Sequence, residues 1–209
     1  MKMPPSTALI RTLSTCLLIA ALAAAPAMSH AAPAPNEKLV TYRGFSIDAS
    51  AIVDSADYSA TVDSLKRQID GVEAVTATEK VHAFFRTVPI VVQTNKAALL
   101  YSGNKRQVIL GAQRFDDRPI LLHELLHALH HQQLPDHNKN ADVRRFYEGA
   151  KASGAFPAKA YMLTNPGEYF AMVGSVYLHG SAVREPFTRK QLCARQKEVC
   201  EWLESTLVK

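Results

Sequence analysis

The chain has 209 residues, 47% of them hydrophobic, with 24 basic and 19 acidic side chains and a formal net charge of +5. Lys2 and Arg11 lie in a leader expected to be removed, which leaves 22 basic against 19 acidic residues. So small an excess implies neither a nucleic-acid partner nor an acidic substrate, there is no internal repeat, and nothing after the leader is apolar for long enough to span a membrane.

Residues 1–31 read as a signal peptide: a positive start without an acid before Glu37, the apolar stretch Leu13–Ala25, then small residues, with cleavage expected after Ala31 at Ser29-His30-Ala31. A membrane anchor is the weaker reading, because the apolar stretch is short and Pro26 breaks it. The protein is therefore expected outside the cytoplasm, secreted or periplasmic, without stable membrane association. Removing 31 residues from 209 leaves 178, enough for a single domain, residues 32–209, that buries roughly 70% of its unfolded surface. The expected state is monomeric.

Past a Pro/Ala-rich lead-in, Val40–Ile47 alternates as a strand does, and Val62, Leu65, Ile69 and Val72 recur at helical spacing over residues 59–74. Val81–Phe85 is a short apolar patch that fits helix or strand. Pro89–Gln93 and Gln107–Leu110 read as strands separated by a turn at Ser102-Gly103-Asn104. After Pro135 come a polar loop, a helix from Ala141 to about Lys151 and an irregular stretch over 153–164. A second apolar helix then opens with Asn165 as cap and Pro166 as first residue. Thr188-Arg189-Lys190-Gln191 is a capping-box pattern that starts the last helix.

The chemistry concentrates in Ile120–Leu129, which contains His123-Glu124-Leu125-Leu126-His127. Histidines four apart on a helix stand one turn above each other, with Cβ atoms about 6 Å apart, so both imidazoles reach one ion. Glu124 sits roughly 100° round the helix, from where it can act on a metal-bound water without ligating. A shuffled chain of this composition contains HExxH about 0.014 times, so chance is a poor explanation. Asp116 or Asp117 is the expected cap of this helix, with Pro119 in its first turn and Leu134-Pro135 closing it. The helix is apolar nearly all round, hence buried, and two histidines and a glutamate in such a place need partners. This is the arrangement of a zinc hydrolase with Glu124 as general base. The strand that arrives just before it, residues 107–110, is a candidate to pair with an extended substrate.

A catalytic zinc takes three protein ligands and keeps one position open. The position six residues after His127 is Gln133, so an extended three-histidine motif is absent. Asp136, His137, Asp142, Glu148 and Glu168 remain as third-ligand candidates. Glu168 lies on the second apolar helix, although as third residue of that helix it could equally serve only its first turn. His130 and His131 are expected at a frayed, exposed helix end, and His82, His137 and His179 have no assigned role. Cys193 and Cys200 suggest a disulfide in an oxidising compartment. One continuous helix over 189–206 would hold their Cα atoms about 10.5 Å apart, beyond the roughly 7 Å a bridge spans. Either the helix breaks between them, the preferred reading, or they stay reduced on its buried face.

Tyr161, the run Asn165-Pro166-Gly167-Glu168-Tyr169-Phe170-Ala171 and the upstream HExxH together resemble the lethal-factor-like metallopeptidases, the group of the anthrax lethal factor catalytic domain and the Pro-Pro endopeptidases. The resemblance covers about residues 105–180. It implies zinc held by His123, His127 and Glu168, with Glu124 as catalytic base and Tyr161 as the hydroxyl that supports the oxyanion. It departs at Met172, where members of the group often carry an acid, which bears on the hydrogen bonding behind the ligands. The first half of the chain has no matching motif, so substrate preference does not transfer.

The expectation is an α+β, zincin-like metallopeptidase domain: a small mixed sheet, an active-site helix and C-terminal helices. It would hydrolyse protein or peptide substrates through a zinc-bound water. Two alternatives are a non-catalytic zinc-containing binding module of the envelope and a zinc hydrolase of cell-wall peptides. An intact Glu124 favours an enzyme, since holding zinc does not require it.

Overall fold

The computed structural model describes Met1 and residues 36–209, so the expected signal peptide, residues 1–31, lies outside the described residues. From residue 36 on they form one compact unit of mixed α and β structure. No helix among them is long and apolar enough to cross a membrane.

The chain begins with a hairpin. β1 (Leu39–Tyr42) and β2 (Phe45–Asp48) pair antiparallel across Arg43-Gly44, where the sequence had suggested one strand. Both turn residues have positive φ, 47° and 82°, as the tightest two-residue turn requires, and Gly44 adopts that conformation without steric cost. α1 (Tyr58–Ala74) buries the expected Val62, Leu65, Ile69 and Val72. The ambiguous patch at 81–85 is helical, in α2 (Glu79–Thr87), because Thr78 Oγ1 accepts the Val81 N–H and caps it.

β3 (Ile90–Gln93), β4 (Leu99–Ser102) and β5 (Gln107–Gly111) complete a sheet of order β1-β2-β3-β5-β4. β2, β3 and β5 run parallel, and the two edge strands β1 and β4 run antiparallel to their neighbours. The strand suggested for substrate pairing, β5, is therefore interior: β3 and β4 occupy both its edges. Of the two edge strands, β4 is the one packed against the HExxH helix, and it lacks the alternation of a half-buried strand because Leu99 and Leu100 are both exposed.

α3 (Ile120–Gln132) carries the HExxH motif and packs on β4, β5 and α1. Its N-terminus corrects the expected cap. Asp116 turns instead to the backbone N–H and guanidinium of Arg118. The amide of Leu121 is taken by Gln68 of α1, whose Oε1 accepts it at 3.1 Å while its Nε2 donates to the carbonyls of Asp116 and Arg118. A cap supplied from 53 residues away leaves no local signature. α4 (Ala141–Ser153) starts at Asn140, whose Oδ1 accepts the Val143 N–H. α5 (Pro166–His179) runs through the middle of the C-terminal half, against α3, α4, α6 (Arg189–Arg195) and α7 (Lys197–Leu203). The last helix does break, at Gln196, and Cys193 and Cys200 are bridged with Cα atoms 5.6 Å apart.

The loop between β3 and β4 crosses directly over Gly111. A Cβ there would meet the carbonyl oxygens of Asn95 and Lys96 at 2.4 and 2.5 Å, and both are backbone atoms that cannot swing aside. Gly111→Ala is therefore expected to lose at least about 2 kcal/mol of stability, at the upper part of the range for overpacking. A urea melt checks it, and a variant within about 0.5 kcal/mol of wild type on the same scale of effects would refute the close crossing.

Candidate metal centre

α3 and α5 approach closely because α5 presents glycine toward α3. A Cβ on Gly174 would stand 3.1 Å from Leu126 Cδ1 and 3.3 Å from its Cδ2, closer than a methyl group sits without displacing that side chain. Across this contact His123 and His127 of α3 face Glu168 of α5. Asn165 fixes the start of α5, its Oδ1 accepting the Glu168 N–H at 2.9 Å. Glu168 thus uses its backbone in the cap while its side chain points at the histidines.

The three donor atoms form a near-equilateral triangle. His123 Nε2 is 3.1 Å from His127 Nε2 and 3.2 Å from Glu168 Oε2, and His127 Nε2 is 3.4 Å from the same oxygen. Hydrogen bonds alone cannot satisfy it. If both Nε2 atoms carry protons, two N–H groups oppose each other; if one or neither does, a nitrogen lone pair faces the carboxylate. A cation satisfies all three edges. Tetrahedral coordination with bonds of about 2.0–2.1 Å sets donor separations of about 3.3–3.4 Å, close to those found. His123, His127 and Glu168 could therefore hold a metal ion. The other third-ligand candidates, Asp136, His137, Asp142 and Glu148, are not in this group.

The carboxylates here are displaced in opposite directions. Burial pushes Glu168 up, but hydrogen bonds and charge from His123 and His127 outweigh it and hold the carboxyl well below the usual range. Glu124 is 7% exposed, and burial raises its carboxyl against the pull of both histidines. Tyr161 sits in a single 3-10 turn, Tyr161–Leu163, its ring centroid 6.4 Å from that of His123. Burial, then the charge and hydrogen bonding of Glu168, push its hydroxyl up to about 12. It is a proton donor, not a phenolate, at neutral pH.

Two cavities flank the triangle, of about 510 and 400 Å³. Both are lined by Leu99, Glu124 and Tyr161, so they form two arms of a cleft across the metal group with β4 along it. Among the exposed large hydrophobic residues, Leu99, Leu100, Tyr161 and Val183 all line these arms. Met172, where the resemblance leads one to expect an acid, is buried in the wall of the smaller arm.

The next two histidines are not at a frayed surface. His130 is 2% exposed, its ring 5.3 Å from Phe170 and its Nε2 without a partner among the described residues, and burial drives it down to about 4, so the ring is neutral. His131 ties the sheet edge to α3: the Tyr101 hydroxyl of β4 shares a hydrogen bond with His131 Nδ1 at 2.9 Å and accepts one from Gln132 Nε2 at 2.9 Å. Both residues fall at helical spacing from His123, and the histidine run was the available signal. No protein-family model matches the chain, and no curated protein does.

Purified protein should contain one divalent ion per chain, and Glu168→Gln should retain it more weakly, since a neutral amide replaces a charged ligand. A chelator should lower the melting temperature of wild type, because a ligand bound only by the folded state stabilises it by mass action. Elemental analysis and thermal melts check this. Equal metal occupancy in the variant would move the third ligand elsewhere.

Proposed function

We propose that this chain is a secreted or periplasmic zinc endopeptidase of zincin-like architecture. The donor triangle carries the reading: two imidazole nitrogens and one carboxylate oxygen at 3.1–3.4 Å, a set and spacing that suit zinc with a fourth position for water or substrate. Zinc, when bound there, supplies a Lewis acid that polarises the scissile carbonyl and acidifies water.

The chain's own groups have separable roles. Glu124 takes a proton from the attacking water and delivers it to the leaving amine, a task suited to a carboxyl whose proton affinity burial has raised. Tyr161 keeps its proton and donates a hydrogen bond to the oxygen on which negative charge develops. β4 offers unpaired backbone groups along one edge, against which an extended peptide can add as a further strand. The exposed Leu99 and Leu100 on that strand favour a polypeptide with apolar side chains over a cell-wall fragment. The Cys193–Cys200 bridge fits an oxidising compartment.

Glu124→Ala should retain the metal yet cleave no protein, because the residue moves protons without ligating. Zymography against a protein mixture and against cell-wall fragments, with metal analysis of the same samples, is the check. Full activity of the variant would end the mechanism, cleavage of cell-wall material alone would name a different hydrolase, and an inert metal-loaded wild type would favour a binding module.

Tyr161→Phe removes one oxygen. A donor that acts only as charge develops predicts a fall in kcat of roughly 10²–10³-fold with KM little changed. A tyrosine that merely packs would lower the melting temperature and leave turnover near normal. A fall in kcat of less than about threefold, on that scale, would remove Tyr161 from the mechanism.

A further inference from the structure

We infer that the smaller arm of the cleft binds a carboxylate of the substrate, held by the guanidinium of Arg184; this rests on the peptidase reading and assigns a specificity to the same site.

Arg184 lies in the loop between α5 and α6, and that loop is tied together. Ser181 and Thr188 form a β-bridge, the Ala182 N–H donates to the Phe187 carbonyl at 2.7 Å, and the Phe187 N–H donates to the Arg184 carbonyl at 2.9 Å. From this base the guanidinium carbon reaches a point 4.6 Å from the Tyr161 ring centroid. The guanidinium lies over the ring, and its five N–H donors, in a fixed fork, make no hydrogen bond among the described residues, which leaves them for a planar anion.

No acid among the described residues neutralises it. Arg184 enters no ion pair there, and its neighbour Glu185 is committed to Arg195 at 3.0 Å. Arg118, the other arginine of this arm, is taken by Asp116 at 2.7 Å. The wall around it mixes apolar Leu99, Ile120, Met172 and Val183 with Ser175 and, toward the metal group, His123 and Glu124. An arginine with no ion-pair partner among the described residues, standing in the wall of a partly apolar recess, recognises a carboxylate by a two-pronged, charge-assisted pair.

Position says which carboxylate. Arg184 lies 4.6 Å from the Tyr161 ring, which lies 6.4 Å from the His123 ring. The two legs total about 11 Å, roughly three residues of extended chain. The group bound is an acidic side chain within about three residues of the cleaved bond, or the terminal carboxylate of a short peptide on that side. The overall charge balance does not announce this preference, because it comes from a single side chain.

The test begins with digestion of a proteome-derived peptide mixture by the wild-type protein, cleavage sites being read by mass spectrometry. Matched peptides then carry Glu or Gln at the enriched position, each as free acid and as C-terminal amide. Wild type should favour one charged form at least fivefold in kcat/KM; the Glu/Gln pair identifies a side chain and the acid/amide pair a terminus. That ratio, taken within each protein so that overall rate drops out, should fall to near one in Arg184→Gln. In Arg184→Glu it should reverse, with Lys preferred over Gln at the same position when the side chain is the anchor, or amide over acid when the terminus is. Equal cleavage of charged and neutral forms by wild type, or an undiminished ratio in Arg184→Gln, overturns the inference while leaving the peptidase intact. Cleavage of no peptide at all overturns the peptidase reading and this inference with it.

Discussion

The site depends on how closely α5 lies against α3. Its three donor atoms come from two helices, and their separations of 3.1–3.4 Å leave no room for a shift of one helix by the width of a methyl group. Gly174 opens the necessary space against Leu126. The force that closes the contact is apolar. Leu121, Leu122, Leu125 and Leu126 of α3 and Phe170, Val173 and Val176 of α5 are all essentially inaccessible, each such side chain contributing about 1.5–3 kcal/mol when fully buried. That burial offsets the cost of drawing two imidazoles and a carboxylate out of bulk water.

Within this contact, neighbouring carboxylates diverge because their surroundings do. Glu168 looks at two histidines and is held ionised, a ligand's condition. Glu124 lines the cleft but is only 7% exposed, and burial raises its proton affinity. Environments that push two acids apart are how one site supports both a fixed anion and a proton carrier. Tyr161 adds a neutral donor, and Arg184 on its ring adds a positive charge at the cleft mouth.

The sheet contributes an edge. β4 is exposed, and a strand with neither face fully buried has little packing of its own. It is held at one end by the loop that crosses Gly111 and along its length by Tyr101, which joins His131 and Gln132 at the end of α3. The helix that carries His123 and His127 therefore also anchors the strand beside them, and the width of the cleft between that strand and the candidate metal group is set by one element.

What the sequence by itself determined is what short-range geometry dictates. His123 and His127 share a helix face because they are four residues apart, and Asn165 and Thr188 cap helices because each accepts the amide three residues on. A seven-residue step from Cys193 to Cys200 forces a break if they are bridged, and Gln196 supplies it. Tertiary structure alone decided the rest. Nothing local separated Glu168 from four other acids and histidines, since the choice turns on a helix contact 45 residues away. The cap of α3 comes from Gln68, the edge strand beside α3 is β4 rather than β5, His130 is interior, and Arg184 reaches Tyr161. Each of these is a contact between segments far apart in the chain, whose closure entropy is offset only when the whole core packs at once; no window of sequence contains the groups that decide it.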